Sequence, residues 1–298
     1  MRVSKHVYFY LGKGISSNSS IIKNSRLILV DPGTNLRRFS SLFQEIKKDG
    51  LNPKKIREIW LTHAHPDHLA SAEKIQKKLK CKIICSRKAK EILISPSPFH
   101  TFVKKEEEEI EKLRKILGFG WKWIVSPIKW LFRFNAGLTT RAMCCGIWKP
   151  LKIAKTYDEI ENPEVEILPL SGHTPDEVGI WIKKEKILIT GDLLAIRGPV
   201  LNMPSSNLKS ASESIRKISN LSPKAIICGH GPILYEKEIK KSLDKAKKQI
   251  RDYQRLIETH FPLHTFREVI KFYRLLPRQI PFLERWVLFF ILLKSAFE

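Results

Sequence analysis

Short apolar runs alternate with amphipathic segments along the first ninety residues of the chain. The runs at 7–10, 19–22, 27–30, 56–61 and 81–85 predict β-strands. Apolar residues at helical spacing predict one helix over 36–48 and another that begins at Pro66 and continues to residue 79. This alternation is typical of an α/β fold, in which ligands gather beyond the carboxyl ends of the strands.

The same alternation returns in the second half of the chain. Apolar runs predict strands at 165–168, 178–182, 186–190 and 225–228. Helical spacing predicts helices over about 208–218 and over 236–260. Beyond residue 260, prolines at positions 262, 277 and 281 divide the chain into short predicted helices. The last of these, 282–297, is strongly apolar, which indicates a helix docked on the body or on a dimer partner, or an amphipathic anchor at a membrane surface.

The segment 96–152 interrupts the alternation, and we interpret it as a mostly helical insertion. It contains an acidic tract at 106–109, followed by aromatic residues that are interleaved with Lys and Arg: Trp121, Trp123, Trp130, Phe132 and Phe134. Such side chains pack on the core, line an apolar substrate pocket or meet a membrane surface, and the sequence leaves these three alternatives open.

Composition places further limits on the protein. Its 298 residues include 54 Lys and Arg against 30 Asp and Glu, a net charge of +24. This charge indicates either Lys-rich solvated faces or attraction to nucleic acid, anionic lipid or acidic substrates. The five cysteines form no CxxC pair, which favours a reducing cytoplasmic location, with peripheral membrane contact as an alternative. We find no signal peptide and no apolar run long enough to span a bilayer.

Candidate metal ligands follow four of the predicted strands, in loops rich in glycine, proline or histidine. The seven ligands are His63, His65, Asp67, His68, His173, Asp192 and His230. Because strand ends lie close together in a twisted sheet, residues that are distant in sequence can converge there. Neutral imidazoles with a few carboxylates suit Zn²⁺, and also Fe or Mn.

These motifs resemble those of the metallo-β-lactamase-fold hydrolases in type, order and spacing. The resemblance rests on Val30-Asp31-Pro32-Gly33, His63-x-His65-x-Asp67-His68, Ser171-Gly172-His173-Thr174-Pro175, Thr190-Gly191-Asp192-Leu193 and Cys228-Gly229-His230-Gly231-Pro232. It implies a four-layer αββα sandwich with a helical insertion and a helical C-terminal extension. We therefore predict a metallo-β-lactamase-like domain over 1–235, with the insertion at about 96–152, and a helical extension over 236–298.

The resemblance also implies two divalent metal ions, with zinc expected first and Fe or Mn as alternatives. The implied ligands are His63, His65 and His173 for one ion, Asp67, His68 and His230 for the other, and Asp192 as a bridge. Asp31 is expected to orient a ligand from behind, because outer carboxylates fix the tautomer of a ligating imidazole. Asp67 is expected to be catalytic as well, since as a ligand it positions the nucleophile.

We predict from this site a hydrolase that cleaves an ester or thioester of a small molecule with a metal-bridged hydroxide, because metals lower the pKa of bound water from 15.7 to roughly 7. Three alternatives stay open. The charge of +24 favours a phosphodiesterase or nuclease acting on RNA, a nucleotide or a phospholipid. A mononuclear-iron, persulfide dioxygenase-like enzyme would use His63, His65 and either Asp192 or His173. A membrane-surface or interaction module would keep the metal for stability.

One departure from the family pattern concerns the residues that follow the motif of His173. The family often has glycine after His-Thr-Pro, whereas this chain has Asp176 and Glu177. We expect these carboxylates to place negative charge near the mouth of the site, with a purely structural effect as the alternative.

Overall fold

The computed structural model describes residues 1–34, 36–117, 122–144, 148–261, 266–277 and 282–297. Six strands form the first sheet in sequence order: β1 (Val7–Tyr10), β2 (Ser19–Lys23), β3 (Leu27–Val30), β4 (Ile56–Trp60), β5 (Lys82–Cys85) and β6 (Ile153–Thr156). Strands β1 to β3 pair antiparallel, and β3 to β6 pair parallel. The carboxyl ends of β3, β4 and β5 therefore meet at one edge.

The second sheet contains five strands: β7 (Val165–Pro169), β8 (Val178–Ile182), β9 (Ile187–Gly191), β12 (Ala225–Cys228) and β13 (Leu234–Tyr235). Their order across the sheet is β13-β12-β9-β8-β7, and β9 and β12 run parallel. The remaining two strands, β10 (Leu194–Ala195) and β11 (Gly198–Pro199), form a short ribbon.

Helices cover the outer faces of both sheets. Those that precede the second sheet are α1 (Leu36–Lys48), α2 (Pro66–Leu69), α3 (Ala72–Leu79), α4 (Arg87–Leu93), α5 (Pro98–Leu117) and α6 (Lys122–Cys144). Helix α7 (Leu208–Leu221) lies in the sequence between β9 and β12 of the second sheet, and α8 (Glu236–His260), α9 (Phe266–Leu275) and α10 (Phe282–Phe297) follow that sheet.

Alternation along the strands divides the apolar residues among three buried layers. In β3, Ile28 and Val30 pack between the two sheets, whereas Leu27 and Leu29 face the helices of the first half. In β9, Leu188 faces the helices of the second half instead. Because both faces of these strands are buried, the strands are continuous apolar runs in the sequence. The predicted four-layer αββα architecture is confirmed.

The structure differs from the prediction at the helix that begins at Pro66. It is interrupted after Leu69, and α3 begins at Ala72. The carbonyl of Asp67 accepts a hydrogen bond from the backbone of Ser17, while the N–H of Ser71 donates to the carbonyl of Gly33. These tertiary hydrogen bonds replace the helical bond between the N–H of Ser71 and the carbonyl of Asp67. Helix α2 is therefore held against two other loops.

The insertion is helical, as predicted, and consists of α5 and α6. Trp121 and the side chain of Trp123 lie outside the described residues. Strand β6, which follows the insertion, is missing from the sequence prediction because its residues are largely exposed and lack an apolar run.

The C-terminal helix α10 is docked on the body, in contact with α5, α7 and α8. Residues 287–293 are each at most 5% exposed, so the interpretation of this segment as an amphipathic membrane anchor is wrong. Its apolar residues are buried in the core itself. Pro262 and Pro281 lie outside the described residues. Among the helices that are described, none combines the length and low polarity that crossing a bilayer requires.

Candidate metal centre

Five strand ends of the two sheets bring the predicted site residues together. Asp31 follows β3, and the histidine-rich loop follows β4 and leads into α2. His173, Asp192 and His230 stand beyond β7, β9 and β12. The structure gathers all seven predicted ligands at this edge, as two overlapping groups.

The first group consists of His63, His65, His173 and Asp192, whose ligating atoms lie within 4.8 Å of one another. Nε2 of His173 is 3.1 Å from Nδ1 of His65 and 3.8 Å from Oδ2 of Asp192. Nδ1 of His173 is 3.0 Å from the carbonyl oxygen of Val200. A hydrogen bond donated there places the proton on Nδ1 and leaves the lone pair of Nε2 facing the group.

The second group consists of Asp67, His68, Asp192 and His230, with the same limit of 4.8 Å. Nε2 of His230 is 2.9 Å from Oδ2 of Asp67, and Nε2 of His68 is 3.2 Å from Oδ1 of Asp192. Asp192 belongs to both groups, with its two oxygens between them. His230 is the most accessible member, its side chain being 41% exposed.

Asp31 holds the second group from behind. Its Oδ2 lies 2.8 Å from Nδ1 of His68 and accepts a hydrogen bond from the hydroxyl of Thr62, while Oδ1 accepts one from the backbone of Thr62. The proton of His68 is thereby held on Nδ1, and Nε2 faces Asp192. One buried carboxylate thus aligns both the ring and the start of the histidine-rich loop.

Burial and mutual charge polarise the site. Burial, reinforced by the neighbouring His173, lowers the pKa of His65 to about 3, so this imidazole is neutral and able to ligate. Burial opposes the charged form of His68, yet the carboxylates of Asp192, Asp67 and Asp31 raise its pKa well above the ordinary value. Burial likewise opposes ionisation of Asp192, but the nearby histidines hold the pKa of that carboxyl well below its usual range.

Two glycines allow the loops to approach this closely. A Cβ at Gly229 would lie 1.9 Å from Oδ1 of Asp192 and 2.7 Å from Cε1 of His68. Gly191 has a φ of +63°, and a Cβ there would lie 2.6 Å from Oε1 of Glu177. A side chain at either position would displace a candidate ligand or the group that holds it.

Asp176 and Glu177 are buried, 7% and 1% exposed, so the expectation that they charge the mouth of the site is wrong. Oδ2 of Asp176 accepts a hydrogen bond from the backbone of Ala64. Oε1 of Glu177 accepts from the backbones of Asp192 and Leu193, at 2.6 and 3.0 Å, and lies 3.9 Å from Nδ1 of His63. Both carboxylates therefore stabilise the ligand loops by hydrogen bonds from inside the protein.

Asn18 is a further structural residue that the sequence prediction missed. Its Nδ2 donates to the carbonyls of Cys228 and Gly231, and its backbone N–H donates to that of Gly229. The loop that carries His230 is thus fixed to the N-terminal sheet. An isolated Asn in a serine-rich loop gave no signal of this role.

A cleft of about 380 Å³ opens onto the site. Part of its wall is formed by the candidate ligands His65, Asp67, His173, Asp192 and His230. The insertion and the C-terminal helix supply much of the rest, including Phe102, Phe132, Ala136, Thr140, Met143 and Val287. Among the described residues that line this cleft, none is Lys or Arg.

The donor atoms fit divalent cations. Nε2 of His63, Nε2 of His68 and Oδ1 of Asp192 are buried and have no hydrogen-bond partner among the described residues. Such orphaned polar atoms are costly unless another ligand satisfies them. They belong to the two groups described above, so one cation for each group would satisfy them. Imidazole and carboxylate donors in this number are typical of Zn²⁺, Fe and Mn sites.

An αββα sandwich with paired His/Asp groups at the strand ends defines a class of metal-site proteins, and the comparisons agree with it. The family model of the metallo-beta-lactamase superfamily matches residues 12–136 and 149–230. The chain belongs to this superfamily.

Similar proteins support this assignment. A probable metallo-hydrolase of Methanocaldococcus jannaschii is 27% identical over 232 residues, covering 74% of this chain and 91% of the relative. The structure of a metallo-beta-lactamase family protein from Thermus thermophilus matches with a TM-score of 0.63 and 16% identity, covering 99% of this chain and 94% of that one. A protein solved in a di-iron-bound form, TTHA1623, matches with a TM-score of 0.55 and 19% identity, covering 79% and 98%. At these identities the two structures support the fold alone.

Proposed function

We propose that this protein is a metal-dependent hydrolase that cleaves an ester or thioester with an apolar acyl group. The observation that carries the proposal is the position of the two candidate ligand groups beside an apolar cleft, whose wall includes five of the seven candidate ligands. The donor set supports a metal pair, and the cleft wall supports the class of substrate.

In this proposal His63, His65 and His173 hold one cation, Asp67, His68 and His230 hold the other, and Asp192 is shared. Zinc is the proposed metal, with Fe or Mn as alternatives. When bound, such cations supply a water-derived nucleophile at neutral pH and stabilise negative charge on the acyl oxygen. Asp67 borders the cleft, and we assign it the positioning of that nucleophile.

The side chains of the cleft support binding of the acyl part. Phe102, Phe132, Met143 and Val287 present apolar surface beside the candidate ligands. Removing an acyl chain from water against this wall contributes roughly 0.8 kcal/mol for each buried methylene. An acyl chain bound against this wall would displace water from beside the reacting bond and so strengthen the electrostatic interactions there.

The same cleft counts against the phosphodiesterase alternative. Its described lining contains no Lys or Arg, although the chain as a whole carries a net charge of +24. Recognition of phosphate ordinarily uses such cations close to the reacting group. The excess of positive charge is elsewhere on the molecule, and we assign it no part in the reaction.

The test combines metal analysis with a substrate panel. The metal-loaded protein should hydrolyse acyl thioesters and nitrophenyl esters, with kcat/KM rising with acyl length, and should be far slower on bis(nitrophenyl) phosphate. Asp67→Asn should lower kcat by at least about 100-fold, since loss of even an outer partner of a metal ligand typically costs 10–100-fold.

A matched control is Asp244→Asn, which changes an exposed carboxylate on α8 and should leave kcat unchanged. A folded, metal-loaded protein that hydrolyses none of the acyl substrates, or that prefers the phosphodiester, would contradict the proposal. A single stoichiometric iron without hydrolysis would favour the dioxygenase-like alternative instead.

A further inference from the structure

Helix α6 carries apolar side chains on a face that the rest of the described chain does not cover. Trp130, Phe134 and Leu138 are 66%, 53% and 55% exposed. They are four residues apart, so they form one stripe along the helix, here called the outer stripe. The rings of Trp130 and Phe134 stack at a centroid distance of 5.6 Å and an interplanar angle of 9°.

The opposite face of the same helix accounts for the fixed position of the outer stripe. Phe132, Ala136 and Thr140 line the cleft beside the candidate metal centre. Since this face is committed to the cleft wall, the helix cannot rotate to bury its aromatic residues. Contiguous exposed apolar surface of this kind marks an interaction site in soluble proteins.

One arginine lies on the outer stripe, and a second lies beside it. Arg141 is exposed and falls on the same side of the helix as Trp130, because eleven residues complete about three turns. Arg133 is 52% exposed and lies 3.6 Å from Glu107, and Lys129 lies 3.3 Å from Glu111. These two carboxylates are therefore paired with cations, and Arg141 is one of the basic residues behind the net charge of +24.

We propose that the outer stripe of α6 docks on the surface of an anionic lipid bilayer. Aromatic and leucine side chains beside arginine are the composition of a helix that lies in the interface, with its apolar face among the headgroups and upper acyl chains. Anionic headgroups would attract the basic surface over a distance of about a Debye length.

A bilayer fits this face better than a second copy of the chain does. In a two-fold dimer, each stripe would meet its own equivalent, and the Arg141 side chains of both copies would enter the same interface. Such like-charge contacts are destabilising where they are desolvated. An anionic surface complements these residues instead.

Docking by the outer stripe would also place the cleft near the membrane, because the stripe and the cleft wall are opposite faces of the same helix, α6. Under the proposed function, an apolar acyl substrate would then reach the site from the lipid phase. This consequence rests on the proposed hydrolysis, whereas the docking does not, and its test measures binding alone.

The test is co-sedimentation of the metal-loaded full-length protein with vesicles. Vesicles made of equal parts phosphatidylcholine and phosphatidylglycerol should bind the protein, and phosphatidylcholine alone should bind it weakly. Replacing Trp130, Phe134 and Leu138 together by Ser should weaken partitioning to the anionic vesicles by about 100-fold, since each side chain loses apolar burial. All three are exposed, so the variant should unfold at the same temperature as the parent.

The matched control replaces three exposed apolar residues on other elements, Ile94, Ile196 and Leu275, which are 50%, 44% and 49% exposed. Replacing them by Ser should leave vesicle binding unchanged. Undiminished binding by the outer-stripe variant would overturn the proposal, because surface lysines would then explain the attraction. Absence of vesicle binding by the parent would also overturn the proposal. If the parent were then dimeric and the outer-stripe variant monomeric, the stripe would be a protein interface instead.

Discussion

The carboxylate of Asp31 has two roles in the site. It can perform both because it is buried and both of its oxygens accept hydrogen bonds. It fixes the proton of His68 on Nδ1 and ties the backbone and hydroxyl of Thr62. Its own backbone adopts a φ of +47°, a conformation that costs energy for a residue with a side chain. The hydrogen bonds that it accepts offset this strain and place two elements of the site at once.

Gly229 should be indispensable to metal binding, although it is not a ligand. In Gly229→Ala the new Cβ would collide with Asp192 and His68, at 1.9 and 2.7 Å. We expect metal affinity to fall at least about 10-fold, the lower end of the effect of disturbing a ligand's support. Competition with a chromophoric chelator measures this affinity.

The control for this substitution is Gly137→Ala in α6, where the nearest atom to a new Cβ is 3.7 Å away. It should leave metal affinity unchanged and stabilise the helix by up to about 1 kcal/mol. Equal metal affinity in Gly229→Ala and the parent would show that the loops relax around a side chain.

Glu106 should make the stability of the protein depend on pH. Burial raises the pKa of this carboxyl to about 7, against the opposing hydrogen bonds from Ser205. The folded state therefore binds the proton more tightly than the unfolded chain does. The ionised carboxyl therefore lowers the free energy of unfolding. This loss is absent below about pH 4.5, grows as the pH rises towards 7 and is complete above pH 7.

Glu106→Gln should remove that loss. The free energy of unfolding in urea should rise by about 1–3 kcal/mol near pH 8 and change little near pH 4.5. Glu91→Gln, at an exposed residue of α4, is the control and should show no such difference between the two pH values. A constant effect of Glu106→Gln across this range would contradict the assignment.

At the scale of elements, α6 lines the cleft with one face and carries the outer stripe on the other. Substitutions on the two faces should therefore have separate effects. Ala136 lines the cleft, so Ala136→Phe would fill part of its 380 Å³. We expect kcat/KM for long acyl substrates to fall at least about 10-fold, because the cost of overpacking is commonly 1–3 kcal/mol. The shortest acyl substrates should be affected less, which a chain-length series measures.

The companion substitution is Ala142→Phe, at an exposed position of the same helix. It adds the same ring outside the cleft and should leave the chain-length profile unchanged. If Ala136→Phe lowered kcat/KM equally for short and long acyl substrates, the acyl chain would have to bind elsewhere.

At the scale of the whole molecule, α10 should stabilise the entire fold. Phe289 is fully buried, and its ring lies 5.9 Å from that of Phe272 in α9. Phe289→Ala should lower the free energy of unfolding by about 3–5 kcal/mol through lost burial and a residual cavity. Urea denaturation followed by far-ultraviolet circular dichroism measures this change.

Leu275→Ala, at a residue that is 49% exposed, should cost much less and is the control. A single transition in both variants would show that the predicted 1–235 and 236–298 segments unfold together, as contacts between α10, α5 and α7 suggest. Two separate transitions would show that the extension is an independent unit.

The elements that were predicted correctly are those whose residues are buried on a regular period. β8, β12, α1 and α8 have the predicted bounds, because apolar runs and helical stripes are local properties of the chain. The short strands β10, β11 and β13 are absent from the prediction because two-residue pairings carry no period. The split between α2 and α3 depends on hydrogen bonds to Ser17 and Gly33, which no local pattern contains.

The sequence by itself determined the candidate donors, since the His and Asp side chains of those loops offer ligand atoms, and it determined the strands that end beside them. The tertiary structure decided which surfaces the other residues serve. It buried Glu177 against the backbone of Asp192, placed Phe132 in the cleft and left Trp130 exposed. The physical reason is that ligand chemistry belongs to individual side chains, whereas burial is set by contacts between segments far apart in the chain.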